Sequence, residues 1–387
     1  MTRLFTGVAT VLAVATLAGL IVLWPGDVES GVAEGLLVDS ERGAVERVEE
    51  TVCPGLIGQE CRQVYVRLET GPEAGELVRL QLGGQGSLDP DVDPGDELRV
   101  TKAPEPPPGT EQVTGTGYSL VDFERRGPML WLAAIFVAAV LLLGRLRGAL
   151  SLAGLAASLA LILVFVVPSI LDGNSPLAVA LTGSLAIALV TIPLAHGTGA
   201  KSMAALLGTA ASLLLTALLA VLFTELTHLT GLSSEEAIFL QLGQADLSLE
   251  GLVLAGIVIG ALGVLDDVTI SQASTVLALR RANPALGFRE LFRRALQVGR
   301  DHVSATVNTL VLAYVGAALP TLLLFSAADL GVGEVVNFEL VASEIVAMLV
   351  GSIGLVAAVP ITTGLAAWLA LREDPERLGG AEPAHAH

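Results

Sequence analysis

Catalytic signatures are missing from this 387-residue sequence. It contains no Walker motif, no zinc-ligand spacing and no serine elbow, which argues against the enzyme classes that these motifs mark. The segment 197–202 superficially resembles a phosphate-binding loop, but Ala200 replaces the glycine before the lysine and an apolar helix, not a strand, precedes it. We therefore expect no enzymatic activity, no nucleotide and no cofactor.

Cysteine and histidine are also scarce, with two and five residues respectively. Cys53 and Cys61 flank Pro54-Gly55 and have no histidine nearby, whereas a metal site normally needs more ligands than two thiols. In an oxidising compartment the two cysteines can close a short loop as a disulfide. We predict this disulfide and no metal site, with free thiols or a metal as the alternatives.

Positive charge is low: 21 basic residues face 39 acidic ones, for a formal net charge of −18. Most of the excess lies in residues 25–127, where nine basic and 21 acidic residues give a net charge near −12. Nucleic acid and anionic lipid headgroups would be repelled by such a segment, so neither is expected as its partner. The acidic surface could attract cations or simply keep the segment soluble.

Apolar residues, by contrast, make up 53% of the chain, and mean hydropathy is +0.71. The lipid bilayer is therefore the expected solvent, and a helix that crosses it needs about 20 apolar residues. Eight windows meet or approach that length: Leu4–Trp24, Met129–Gly144, Leu150–Leu171, Pro176–Ala195, Met203–Phe223, Leu252–Leu265 with its continuation, Val303–Phe325 and Val341–Leu371.

The basic residues predict the orientation of these helices, because Lys and Arg accumulate in short cytoplasmic loops. With the N-terminus inside, the three short outer loops contain no Lys or Arg. The inner segments then hold Arg3, Arg145, Arg147, Lys201, Arg280, Arg281, Arg289, Arg293, Arg294, Arg300, Arg372 and Arg377. We predict a multi-pass protein of the cell (plasma) membrane with both termini in the cytoplasm.

Four regions follow from this pattern. Residues 1–24 form an uncleaved transmembrane anchor, because the apolar run is long and lacks an A-x-A-like cleavage site. Residues 25–127 form an acidic extracytoplasmic β-domain with a Pro-rich linker, residues 128–371 a seven-helix membrane domain, and residues 372–387 a cytoplasmic tail. The predicted fold class is an all-α polytopic membrane bundle of eight transmembrane helices with a small β-barrel-like (OB-like) domain.

Alternating residues support the β-domain. Val64, Val66 and Leu68 fall on one face of a strand, and residues 77–82 repeat the pattern. Gly71-Pro72 and Pro94-Gly95 supply turns between the strands. About 100 residues of short strands favour a small barrel or sandwich.

Two adjacent aspartates interrupt the sixth apolar window. Counted from Gly251, Asp266 and Asp267 lie roughly 24 Å into a core about 30 Å thick. Ionisable groups at that depth are costly and face a bundle interior or a water-filled cavity, so they are functional candidates. Two neighbouring carboxylates cannot both ionise cheaply there, so at least one of them should hold a proton more readily than usual, which is what proton or cation coupling would require. Alternatively, the helix stops near Leu265 and the aspartates cap a second helix.

The predicted coupling site also includes polar residues at similar depth, although these could equally be interhelical hydrogen-bonding groups. Its members are Asp266, Asp267, Gln272, Thr306 and Asn308.

A further polar cluster is predicted on the cytoplasmic side, where each member could instead be a cap or an interfacial residue. It consists of His196, Lys201, Asp301 and His302. After Asn283-Pro284, a basic amphipathic helix is expected on the inner leaflet.

Four segments carry a family resemblance: GALGVLDDVTISQAS (260–274), LRRANP (279–284), GRDHVSATVNTLVLAYVGAALP (299–320) and HLTGLSSEEA (228–237). They resemble the YibE/F family of bacterial membrane proteins. The family is functionally uncharacterised, so this resemblance implies a topology and not an activity.

A core-only resemblance reaches the SecD/SecF branch of RND-type permeases. It rests on a glycine-containing helix that ends in an acidic motif, the RRAN turn, an amphipathic helix and the TVNT start of the next span. By this resemblance Asp267 would occupy the place of a carboxylate linked to proton flow. The spacing to Arg280 is longer here, and the outer domain precedes helix two of eight instead of six.

These observations favour an ion-coupled permease or export-type transporter, with helices six and seven forming the coupling site for a proton or cation. The alternative is a non-transporting scaffold or sensor whose outer domain binds a protein partner that the sequence does not identify. An intramembrane aspartyl protease would need two carboxylates opposed on different helices, whereas these two are adjacent on one helix.

Overall fold

The computed structural model of the chain describes residues 2–26, 39–52, 60–83, 89–102, 117–233, 235–243, 247–328 and 330–372. The chain divides into two compact units. The helical unit comprises residues 1–32 and 143–387, and the sheet unit comprises residues 33–142.

Helices dominate the described residues. The α-helices are α1 (Thr2–Val22), α2 (Arg126–Leu161), α3 (Val167–Leu171), α4 (Pro176–His196), α5 (Ala200–Leu226), α6 (Glu235–Gly243), α7 (Leu249–Ala282), α8 (Phe288–Ala317), α9 (Leu319–Ala327), α10 (Val332–Val335) and α11 (Glu339–Ala370). A π-helical turn, Ile162–Val166, joins α2 to α3.

Six helical stretches of the described residues are long and apolar enough to cross a membrane, or seven if α8 and α9 form one span bent by 58°. The chain is thus confirmed as a membrane protein by helix length and composition, but the predicted eight spans are not confirmed. The difference arises at the second and third windows, which merge into one 46-residue stretch, Arg126–Leu171. Within it, Arg145 has non-helical backbone angles (φ 49°, ψ −128°).

Close packing builds the core of the helical unit from α4, α5, α7 and α11. Small residues make the close approach possible where helices cross. At Gly208 of α5, an added Cβ would collide with Thr362 of α11, and at Gly354 of α11 it would collide with Thr216 of α5. Glycine is therefore required sterically at these crossings.

Helix α7 runs without a break for 34 residues, about 50 Å. The alternative in which a helix stops near Leu265 is therefore wrong, and Asp266 and Asp267 lie inside α7. Its N-cap is Ser248, whose hydroxyl accepts a hydrogen bond from the Gly251 amide at 3.0 Å.

The predicted basic amphipathic helix is the first part of α8. Leu291 and Ala295 are buried, whereas the arginines of this part are exposed: Arg289, Arg293, Arg294 and Arg300. The helix begins after Gly287, four residues later than predicted, because Asn283 ends α7 instead of starting α8.

The sheet unit contains five antiparallel strands: β1 (Glu41–Val52), β2 (Glu60–Leu68), β3 (Leu77–Leu82), β4 (Glu97–Lys102) and β5 (Tyr118–Phe123). They are hydrogen-bonded in the order β3-β2-β1-β4-β5. The predicted alternation is confirmed, since Val64, Val66 and Leu68 are at most 1% exposed and pack with β3 and β4. Gly71 and Gly75, both with positive φ, lie in the turn between β2 and β3.

The predicted closed barrel is wrong for the described residues, because no hydrogen-bonded ladder joins β3 to β5. Two bulges, in β1 after Val45 and where β4 pairs with β5 at Val100, bend the sheet. Glu73, just before β3, links the open edges: it accepts a hydrogen bond from the Tyr118 hydroxyl at 2.6 Å and forms an ion pair with Lys102.

Candidate functional site

Asp266 lies inside the packed helices, half-buried on α7. Its Oδ2 accepts a hydrogen bond from the Thr191 hydroxyl of α4 at 3.3 Å. Its Oδ1 is buried and has no hydrogen-bond partner among the described residues. A buried carboxylate oxygen without a donor is costly, whereas the other buried unpartnered oxygens described in the helical unit belong to Ser and Thr hydroxyl groups.

A chain of hydrogen bonds links Asp266 to three threonines, and we call these four residues the polar seam: Thr191, Thr209, Asp266 and Thr269. Thr209 of α5 and Thr269 of α7 are fully buried and share a hydrogen bond of 2.7 Å. Thr269 also lies 3.1 Å from the main-chain oxygen of Asp266, one turn earlier. The seam therefore joins three helices at the level of the aspartate.

Gln272 is placed differently from the prediction that groups it with the aspartates. It is 3% exposed, and its amide nitrogen donates to the Ala295 carbonyl of α8 at 2.9 Å and to the Thr363 hydroxyl of α11 at 2.7 Å. Gly299 leaves room for it, since a Cβ there would lie 2.7 Å from the Gln272 Oε1. The amide nitrogen of Gln272 thus links α7 to α8 and α11.

Asp267 is exposed on the outside of α7, unlike its neighbour. It makes no side-chain hydrogen bond or ion pair with another described residue, and neither does Asn308, which is also exposed. Thr306 is half-buried, and its hydroxyl donates to the His302 carbonyl of its own helix at 2.9 Å. No hydrogen bond therefore joins Thr306 or Asn308 to either aspartate among the described residues.

The predicted cytoplasmic-side cluster is assembled only in part. His196 at the end of α4 and Lys201 at the start of α5 approach to 3.4 Å between Nδ1 and Nζ. Asp267 is close enough to His196 to interact with it electrostatically. Asp301 and His302 are exposed on α8 and form no side-chain contact with that pair in the described part of the chain.

The predicted disulfide joins Cys53 to Cys61. Cys53 lies outside the residues that the structure describes. Cys61, at the start of β2, is 5% exposed. The pairing stays a prediction.

Sequence reasoning missed Thr191, Thr209 and Thr269 as neighbours of the aspartate. The available signal was a hydroxyl in an apolar span, since such groups hydrogen-bond across membrane helices. Thr269 lies one turn after Asp266 on the same face and could have been grouped with it. The partners on α4 and α5 depend on helix packing, which the sequence does not show.

Chemically, this arrangement offers a carboxylate with one unpartnered oxygen and the Thr191 hydroxyl at hydrogen-bond distance from the other. No group of three or more His, Cys, Asp or Glu residues that could hold a metal ion occurs in the described ranges. A proton or a monovalent cation needs fewer acidic ligands than a multivalent metal, and carboxylate and hydroxyl oxygens suit both.

Comparison with known proteins identifies a family but not a function. A family model described as YibE/F-like protein matches residues 132–372, which is more than half of the chain and leaves out the β-strands. No curated protein matches the chain, and no solved structure does. The chain belongs to the YibE/F-like protein family.

Proposed function

We propose that this chain is an ion-coupled transport protein of the cell membrane, without enzymatic activity, in which Asp266 is the coupling carboxylate. The observation that carries the proposal is the buried Oδ1 of Asp266, which has no partner among the described residues. A carboxylate inside a membrane bundle is retained at a cost, and proton or ion pathways are the usual reason.

Hydrogen-bond geometry around Thr191 supports a protonatable Asp266. The Thr191 hydroxyl has one proton, and its nearer acceptor is the Ile187 carbonyl of its own helix at 2.9 Å. If the Thr191 hydroxyl donates its proton to the Ile187 carbonyl, it cannot also donate to Asp266, which lies 3.3 Å away. A hydrogen bond between the two side chains then forms only if the Asp266 carboxyl group is protonated and donates. The hydrogen bond between Asp266 and Thr191 would thus form when the carboxyl group gains a proton and break when it loses it.

Eight spans with both termini inside are part of the proposal. A 46-residue helix would be about 69 Å long, more than twice the thickness of the bilayer core, and the non-helical Arg145 divides it into two stretches of suitable length. A cysteine introduced at Asn174 or Gly333 should react with an impermeant maleimide from outside, and one at Gly199 or Ala285 only after permeabilisation. External labelling at Ala285 would contradict this topology.

The function is tested with purified protein in liposomes that contain a pH-sensitive or sodium-sensitive dye. Under an imposed gradient, we expect measurable flux for the wild type and a loss of at least about tenfold for Asp266→Asn, which keeps the size and removes the charge. Asp267→Asn is the matched control and should retain flux, because Asp267 is exposed. Wild-type flux in Asp266→Asn would overturn the coupling role.

A second candidate function is a scaffold or sensor, favoured by the sheet unit, which has a hydrophobic core of its own. In that case the helices would serve only as an anchor. Absence of flux from every variant and from the wild type, together with a protein partner that cross-links to the sheet unit in cells, would favour this function.

A further inference from the structure

A cavity of about 420 Å³ lies at the end of the helical unit that is opposite the arginines of α8. Its walls come from the end of α8, from α9 and α10, and from the beginning of α11. The lining is apolar except for Tyr314, Ser326 and Glu344. This size and this chemistry, an apolar wall with a few polar groups, are typical of a small-molecule site.

Glu344 is the acidic side chain among the described residues that line this cavity, and it is half-buried. Its carboxylate has neither a hydrogen bond nor an ion pair with another described residue. Two other glutamates at this end of the unit, by contrast, accept hydrogen bonds from backbone amides. Glu339 accepts hydrogen bonds from the Thr230 and Gly231 amides at 2.7 and 2.6 Å, and Glu334 accepts one from the Gly331 amide at 3.3 Å.

No basic residue lies in the part of the chain that lines the cavity. Residues 311–370, which include every described lining residue, contain no Lys, Arg or His. The nearest basic residues before them, His302 and Arg300, lie nine and 11 residues from Val311, or about 14 and 17 Å along α8. A half-buried carboxylate in an apolar wall therefore faces the cavity without a cation from its own helices.

We propose that this cavity binds a lipophilic monovalent cation, with Glu344 as the counter-ion and the apolar wall as the contact surface for the ligand's hydrocarbon groups. The charge selects against an anion, since one would lie beside an unpaired carboxylate. Tyr314 adds an aromatic ring, whose face attracts cations. A purely apolar ligand would leave the carboxylate desolvated and unpaired, which is costly.

This site is separate from Asp266. The Tyr314 hydroxyl lies beside Gly260 of α7, where an added Cβ would be 3.4 Å from it, and Gly260 is six residues, about 9 Å, from Asp266. Binding at Glu344 is proposed independently of ion coupling and can be measured without any flux.

The test uses the full chain in nanodiscs of zwitterionic lipid and two probes of the same shape and opposite charge, tetraphenylphosphonium and tetraphenylborate. Equilibrium dialysis against empty nanodiscs should show saturable binding of the cation and none of the anion. Glu344→Gln should weaken cation binding at least about tenfold, the scale expected for removing one charge of a desolvated pair. Val315→Phe, which enlarges a wall side chain, should also weaken it.

A matched control keeps the proposal falsifiable. Glu334→Gln makes the same change at the same end of the unit, outside the cavity, and should bind the cation as the wild type does. Equal binding of the two probes would overturn the proposal, and so would unchanged cation binding in Glu344→Gln. A lipid that co-purifies with the wild type but not with Val315→Phe, without any cation binding, would identify a lipid site instead.

Discussion

The two units of this chain differ in where they place polar and apolar side chains. In the sheet unit the core is apolar, with Val64, Leu80 and Leu98 at most 1% exposed, and charged residues such as Arg42 and Glu69 pair on the surface. In the helical unit many exposed side chains are large and apolar, whereas hydroxyl and amide groups are fully buried.

The difference reflects the force that stabilises each unit. In water, burial of apolar surface stabilises a fold at about 25 cal/mol per Å². In lipid, apolar side chains gain nothing by leaving the solvent, so close contacts between small residues and interhelical hydrogen bonds must provide stability. A carboxylate without a partner is therefore more unusual inside the helical unit than any charge on the sheet unit.

The largest expected effect is a loss of stability in the sheet unit. Leu80→Ala removes a side chain that is 1% exposed and should destabilise the unit by about 2–5 kcal/mol, because it loses apolar burial and leaves a cavity. Hydrogen exchange of the full chain in nanodiscs should show faster exchange in β2 and β3, with unchanged protection in α7. Leu77→Ala, at a position that is 44% exposed on the same strand, is the control and should change little. Equal loss of protection in α7 would contradict separate cores.

Gln272→Leu tests the helical unit by making its core more apolar. The substitution removes the hydrogen bonds to the Ala295 carbonyl and the Thr363 hydroxyl, so we expect a loss of about 1–3 kcal/mol, although leucine is the more hydrophobic residue. Thermal unfolding in detergent measures it. Gln297→Leu, at an exposed position of α8, serves as the control. Higher stability of Gln272→Leu would mean that apolar burial dominates in this unit too.

The smallest effect concerns Glu73 in the sheet unit and depends on pH. Hydrogen bonds from Lys102 and then from Tyr118 hold the pKa of Glu73 below its ordinary value of 4.5. The stabilisation is therefore complete above about pH 4.5 and is lost as the pH falls through the lower pKa of the folded state.

Glu73→Gln should flatten this acid sensitivity and lower stability slightly at neutral pH. Proteolysis of the full chain between pH 3 and 7 can measure both, with Glu76→Gln as the exposed control. An unchanged acid profile in Glu73→Gln would show that the link between the open edges contributes nothing.

Much of the architecture was predictable because it depends on local patterns. The strands around Val66 and Leu80 follow from alternation, and most spans follow from their apolar length. The count of eight was not confirmed, since helix continuity around Arg145 is decided by backbone geometry that hydropathy does not contain. The closed barrel was wrong because closure depends on strand bending at the bulges, and a bulge leaves no clear mark in the alternation.

Of the residues predicted for the coupling site, Asp266 lies inside the packed helices, and no hydrogen bond joins it to Thr306 or Asn308 in the described part of the chain. Adjacent residues on a helix point about 100° apart, so only one of Asp266 and Asp267 could face the core, and the sequence did not show which one. Asn308 was matched by depth alone, whereas Thr191 became a neighbour through the packing of α4 against α7. Depth can be counted along a sequence, but the rotation of a helix about its axis cannot.

The central claim, that Asp266 and not Asp267 couples ion movement, is tested most directly by flux through liposomes that contain the wild type, each single variant to Asn or the double variant. We expect wild-type flux in Asp267→Asn and equally low flux in Asp266→Asn and the double variant. All variants should show the same unfolding temperature within a few degrees, as expected for nearly isosteric changes. Full flux in Asp266→Asn, or loss of flux in Asp267→Asn alone, would contradict this claim.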